Sequence, residues 1–243
     1  MNEDVRNIVL GVLATGVSAA IGWLGRTYQW RRRLRRKQAF FGLPAGSECL
    51  LVVNREVGGD NVVHRIDVFA LLELSALVKD CGAQARILAH DAAHQGFGDR
   101  TEFCLGGPYS NRRTAAHLAT LLPGVTMNVD VQPSEVRQAI TIGAERYSME
   151  KGVSEYVILA RLMAGEGGRP VFLFCGQTAI TNQAATRYLA RHYDALARRH
   201  RSGSFVLLLK VVNSQAYGPD VVELVADVTS AARTAPVAAP AAT

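Results

Sequence analysis

The chain opens on one long uncharged stretch and then alternates short apolar runs with longer amphipathic ones. Between Arg6 and Arg26 lie nineteen uncharged residues, NIVLGVLATGVSAAIGWLG. Further on come CLLVV (49–53), ARILA (85–89), EFCL (102–105), VTMNV (125–129), EYVILARL (155–162), VFLFC (171–175) and SFVLLLKVV (204–212). Their length and β-branched content predict strands, with VELVADV (222–228) as a further candidate. Helices are predicted over 63–80, 111–122 and 180–200. In the first of these, Ile66, Phe69, Ala70, Leu74 and Leu77 recur at spacings of three and four, and Gly82 suits the stop. The more polar stretch 130–154 reads as a hairpin or an excursion. Apolar strands alternating with amphipathic helices imply an α/β domain over 48–230, a mostly parallel sheet with helices on both faces.

As a helix, residues 7–25 would measure about 28 Å, close to the roughly 30 Å hydrocarbon thickness of a bilayer. Gly11, Gly16, Gly22, Gly25, Thr15 and Ser18 dilute the apolar residues of this stretch. Small residues four apart (Gly11/Thr15/Ala19 and Ser18/Gly22) would let a second copy approach closely, giving a homodimer through the transmembrane helix. A cleavable signal peptide carries positive charge ahead of its apolar run, whereas the first six residues here are net acidic. Trp23, Tyr28 and Trp30 are spaced for an interfacial aromatic belt. The sequence therefore reads as a single-pass membrane protein.

Charge gives that span a direction. The 243 residues carry a formal net charge of +6, and residues 26–37 alone (RTYQWRRRLRRK) carry +7. With −1 on residues 1–6, the remainder is neutral. The basicity is a collar rather than a nucleic-acid-binding surface, so no nucleic-acid partner is expected. Residues 7–37 would meet the bilayer and its anionic leaflet. The positive-inside rule then leaves residues 1–6 outside and the domain in the cytoplasm of a cell-membrane protein. Residues 26–47 read as a basic juxtamembrane segment and linker (QAFFGLPAGS at 38–47), and 231–243 as a disordered Ala/Pro tail. A hydrophobic content of 49% excludes a chain disordered throughout. Cys49, Cys81, Cys104 and Cys175 form no CxxC pair or zinc spacing and read as buried thiols.

The candidate chemistry sits in two loops. In FCLGGPYSNRRTAAHLATLLPG (103–124) a strand ends at Gly106 and Gly107, and Ser110 or Asn111 offers a helix N-cap. Glycines there let backbone N–H groups approach an anion at the helix N-terminus. Arg112 and Arg113 fall in the first turn, where a cation opposes the dipole unless something negative is near. In FLFCGQTAITNQAATRYLARHY (172–193), Gly176, Thr181 and Asn182 repeat the arrangement. Both segments fit C-x5-[ST]-N-x6-L-A, 71 residues apart. Two such βα units place both loops at the carboxyl edge of the sheet, where open α/β sheets bind ligands. A third loop, Arg55–Asn61, follows the first strand and would join that rim.

Arg161, inside an apolar strand, is either a fork for a phosphate or the outward position of an edge strand. His90 and His94 form an HxxxH pair without a third ligand, so no metal is expected, and no cofactor follows from the sequence. A nucleophile elbow and a paired-carboxylate motif are both missing; Glu73 and Glu155 suggest no role, and Asp60 or Glu56 is the best rim carboxylate for a hydrolase.

A single N-terminal span, an Arg-rich juxtamembrane stretch and the strand–GGPYSN–helix unit resemble actinobacterial single-pass membrane proteins with a Rossmann-like cytoplasmic domain. The 23 Arg against 4 Lys fit a high-GC genome. The resemblance implies a Rossmann-like fold and brings no catalytic residues. Three functions follow: a sensor or effector binding a nucleotide-like or other small anion, a tethered hydrolase or transferase acting on a nucleotide, or a degenerate module that scaffolds a partner protein.

Overall fold

Seven of the apolar runs pair into one sheet. In chain order the elements are α1 (Glu3–Phe41), β1 (Glu48–Val53), α2 (Arg65–Asp80), β2 (Gln84–Ala89), β3 (Glu102–Leu105), α3 (Arg112–Leu121), β4 (Val125–Met127), β5 (Ile140–Ile142), β6 (Glu145–Tyr147), β7 (Ser154–Met163), β8 (Pro170–Gly176), α4 (Ala179–Arg199), β9 (Phe205–Val212), α5 (Ser214–Tyr217), β10 (Val222–Asp227) and α6 (Thr229–Arg233). The computed structural model describes residues 3–54, 62–89, 91, 97–128, 139–163, 165, 167–200 and 203–235. The large sheet runs β10-β9-β7-β8-β3-β1-β2, and β4-β5-β6 form a small one. Strand alternation sorts the core into two layers. Leu51, Val53, Phe103, Leu105, Phe172 and Phe174 face α2, α4 and the end of α1. Leu50, Val52, Cys104, Leu173 and Cys175 face α3, the small sheet and α6.

The sheet is mixed, not mostly parallel. β2, β1, β3 and β8 run parallel, whereas β7 is antiparallel to both of its neighbours, β8 and β9, and β10 is antiparallel to β9. Connection length explains this. A parallel crossover needs a dozen or more residues, and only six separate Met163 from Pro170. The hairpin expected within 130–154 is β5–β6.

The N-terminal expectation is overturned. Among the described residues no helix is long and apolar enough to cross a membrane. α1 has the length, but its glycines, Thr15 and Ser18 dilute residues 7–25, and it continues unbroken through the arginine run. The cell-membrane location and the N-terminus-outside orientation lose their basis. The lipid and dimer contacts assigned to residues 7–37 have no membrane helix to rest on.

Nor is 38–47 a linker. Phe40, Phe41 and Leu43 are buried in the main core, and α1 runs to Phe41. At the other end, α6 buries Ala232, so the chain is ordered past residue 231; residues 236–243 lie outside the described residues.

Candidate ligand-binding site

A cavity of about 520 Å³ opens at the carboxyl ends of β1, β3 and β8. The strand order supplies it. β1 connects outward through α2 to the edge strand β2, and the chain then returns to β3 on the other side of β1. α2 and α3 pack on opposite faces, so the chain parts between β1 and β3. Gly107, Pro108, Tyr109 and Ser110 line one side, and Gly176, Gln177, Thr178, Ala179 and Ile180 the other. The two loops matched in sequence therefore share one cavity.

Their asparagines do not play matching parts. Asn111 is the N-cap of α3 and is fully buried: its Oδ1 accepts from the N–H groups of Arg113 (3.0 Å) and Thr114 (3.1 Å), and its Nδ2 donates to Leu105 O at 2.8 Å. In the second unit the cap is Thr178, in a reciprocal box with Thr181, and Asn182 sits a turn inside α4. Asn182 Oδ1 accepts from Gly176 N at 2.9 Å, and its Nδ2 donates to Asp67 Oδ1 at 3.2 Å. The shared pattern marks two asparagines that pin strand ends, with the helix starting four residues earlier in the second unit.

The other predicted residues separate. Gly106 has φ +96°, and a Cβ there would meet Asn54 Cβ at 2.7 Å, so glycine is needed for the strand to pass. Gly107, Ser110, Gly176 and Asn182 line the cavity; Thr181 is buried behind it in the capping box. Arg112 is exposed and off the cavity. The carboxylate partner that a first-turn arginine calls for is present, but for Arg113, whose Nε donates to Glu102 Oε2 at 2.7 Å. Arg161 is at the opposite edge of the sheet, on an interior strand, and donates to Phe40 O. The Arg55–Asn61 loop with Glu56 and Asp60, and both His90 and His94, lie outside the described residues.

Sequence reasoning missed the floor of the site. Asp67 is fully buried, accepting from Asn54 Nδ2 (2.9 Å) and Asn182 Nδ2. It falls on the α2 stripe of Ala70, Leu71 and Leu74, and a carboxylate on an apolar stripe was the available signal. Glu155, at the start of β7, is also buried; its Oε1 accepts from Gly152 N at 3.3 Å and its Oε2 from Thr178 Oγ1 at 3.4 Å. His64 caps α2, its Nδ1 accepting from Ile66 N at 3.2 Å, which leaves the neutral ring's proton on Nε2. Lys151 stands exposed at the mouth.

The cavity thus has a floor with two buried carboxylates, Asp67 and Glu155, an electropositive wall and an apolar one. The first N–H groups of α4, on Ala179 and Ile180, form the electropositive wall with Lys151. Ile66, Pro108, Met127 and Met149 supply apolar surface. Gly176→Ala is expected to destabilise the protein by roughly 1–3 kcal/mol in thermal melts, because its Cβ would collide with Thr181 Oγ1 and Asn182 Oδ1.

A second cluster, Glu102, Cys104 and His117, has ligand atoms close enough for a metal ion. Its chemistry does not favour one. The Arg113 guanidinium already holds both Glu102 oxygens, and burial pushes the Cys104 thiol well above its ordinary pKa. A metal would have to displace the guanidinium and deprotonate that thiol. Burial likewise raises Cys49 and Cys175 to about 12, which makes them inert packing groups. No protein-family model, curated protein or solved structure matches this chain.

Proposed function

We propose that the α/β domain binds a small organic anion, nucleotide-like in size, in the crevice at the carboxyl ends of β1, β3 and β8. The observation that carries this reading is the convergence of the 106–110 and 176–180 loops on one cavity of about 520 Å³. That volume lies within the roughly 300–1,000 Å³ of small-molecule sites. The anionic group would sit against the free N–H groups of Ala179 and Ile180, and Lys151. A flat or apolar portion would lie against Ile66, Pro108, Met127 and Met149. Asp67 and Glu155 take the part of wall-formers, since each already accepts hydrogen bonds from neighbouring groups. An open crevice with polar groups at the strand ends argues against a degenerate module, whose crevice would be filled by apolar side chains.

Thermal melts against ATP, GTP, NAD and inorganic phosphate test the reading. A ligand present at a hundred times its Kd stabilises by about 2.7 kcal/mol, which raises Tm by roughly 5 °C or more in a chain of this size. Among the described lining residues Lys151 is the only lysine or arginine. Lys151→Glu, at an exposed position, is expected to leave the unliganded Tm in place and to weaken binding about tenfold or more. If no member of the panel shifts Tm, or Lys151→Glu binds as tightly as the parent, the reading is wrong.

A further inference from the structure

At the amino edge of the same sheet lies a second cavity, of about 440 Å³, with none of its lining in common with the first. Pro170, on its wall, begins the strand that ends at Gly176 in the first cavity, about 20 Å away. Three arginines line it: Arg35 from α1, Arg161 from β7 and Arg169 from the β7–β8 connection. We propose that this cavity is a binding site for the polyphosphate group of a small molecule.

The argument starts from Arg161. It is 7% exposed, on an interior strand, with its guanidinium 5.1 Å from the centre of the Phe40 ring. Its Nε donates to Phe40 O at 3.0 Å and one terminal nitrogen to Gly203 O. Arg169 donates to Gly42 O. These carbonyls orient two forks but neutralise neither. Among the described residues no carboxylate pairs with Arg35, Arg161 or Arg169. A buried cation without a counter-ion is costly, and burial accordingly lowers the Arg161 pKa to about 10. An arginine carries five N–H donors, so three of Arg161's remain after its two carbonyl bonds.

Three guanidiniums lining one cavity suit an anion of at least two charges. Forked donors match phosphate oxygens in pairs, which a compact ammonium cannot do. Gly167 and Gly168 form part of the wall and leave it open to a bulky group. The exposed run Arg31, Arg32, Arg33 and Arg36 on the same helix adds a positive field that draws anions toward this edge. The cavity is larger than a single phosphate requires, which favours a diphosphate or triphosphate.

The test is calorimetric titration of the full chain with inorganic pyrophosphate and with ATP at low salt. Binding is expected, weakening as salt rises. Arg35→Glu and Arg169→Gln should each reduce pyrophosphate affinity at least tenfold; Arg161→Met is left aside because it removes a buried anchor. Arg32→Glu, on the same run but off the cavity, should weaken binding only through the long-range field, by several-fold less than Arg35→Glu and with the difference vanishing as salt rises. Lys151→Glu, at the other edge, should leave pyrophosphate binding here untouched, so this site and the carboxyl-edge site stand or fall separately. The proposal is overturned if pyrophosphate and ATP produce no heat, or if Arg32→Glu weakens binding as much as Arg35→Glu. It also fails if Glu166→Gln, removing the acid in the 164–169 connection, lowers Tm by several degrees while the parent protein binds no pyrophosphate. The counter-ion would then be internal.

Discussion

Phe41→Ala is expected to destabilise the protein by about 3–5 kcal/mol, the usual cost of truncating a fully buried phenylalanine. In a chain of this size that corresponds to a Tm loss of roughly 6–20 °C in a calorimetric scan. Phe41 has no exposed surface and sits among Phe40, Phe103, Phe172 and Tyr193, with ring centroids between 4.9 and 6.4 Å away. Its carbonyl accepts from Thr101 Oγ1 at 3.0 Å, tying the end of α1 to the start of β3. The ring lies where the last turn of α1 meets α4 and the centre of the sheet, so neighbours on three elements keep the vacated space from closing. Trp30→Ala, at an exposed position on the same helix, should stay within about 0.5 kcal/mol of the parent. If 38–47 were only a tether, the two substitutions would behave alike. A Phe41→Ala loss below about 1 kcal/mol would sink the account of α1 as a core element.

That helix shows where the sequence was legible and where it was not. The strands and three domain helices could be read because their periodicities are local: EFCL (102–105) became β3 with the same bounds, and Asn111 could be read as a cap from its neighbours alone. Phe40 and Phe41 carry no such signal. Two adjacent aromatics followed by Gly42 and Pro44 look like a connector until the ring pocket formed by Phe103, Phe172 and Tyr193, sixty or more residues away, is known. Residues 7–25 misled for a related reason. The absence of charge set the length of the segment, but apolar content decides transfer into hydrocarbon, and four glycines with Thr15 and Ser18 keep that content low.

Sheet polarity was available in the chain and depends on counting rather than composition. Six residues between Met163 and Pro170 forbid a parallel crossover, and that length fixes β7 as antiparallel. For the site, the two glycine-bearing loops were legible because a glycine beside a strand end answers a local steric demand. Asp67 was not. Its acceptance of amides from Asn54, thirteen residues before it, and Asn182, 115 residues after it, is a property of the assembled crevice. Arg161 was read as a phosphate fork or as the outward position of an edge strand; its strand is interior, since neither strand direction nor neighbours can be read from one strand's composition.

Removal of the Glu102 carboxylate is the second large effect expected. Glu102→Ala should cost about 3–5 kcal/mol, as when one partner of a buried ion pair is lost, because Arg113 and His117 keep their burial and lose their shared acceptor. The same carboxylate confers a pH dependence whose sign follows from its surroundings. Burial alone would raise its pKa, but the Arg113 and His117 hydrogen bonds and the Arg113 charge outweigh that and bring it from 4.5 to about 2. A carboxylate lowered on folding contributes stability that is fully present above the unfolded value. That contribution is lost as pH falls from about 4.5 toward 2, and it amounts to roughly 3 kcal/mol. Glu102→Gln cannot titrate, so the stability gap between it and the parent should narrow by about 2.5 kcal/mol between pH 6 and pH 2.5, the remainder being lost only at still lower pH. Urea unfolding at both pH values measures the gap. Other carboxylates titrate in both proteins and cancel in the difference, leaving the slope that Glu102 alone supplies. A gap of equal size at the two pH values would mean that the buried carboxylate keeps an ordinary pKa, and the ion pair would then owe its geometry to packing rather than to charge.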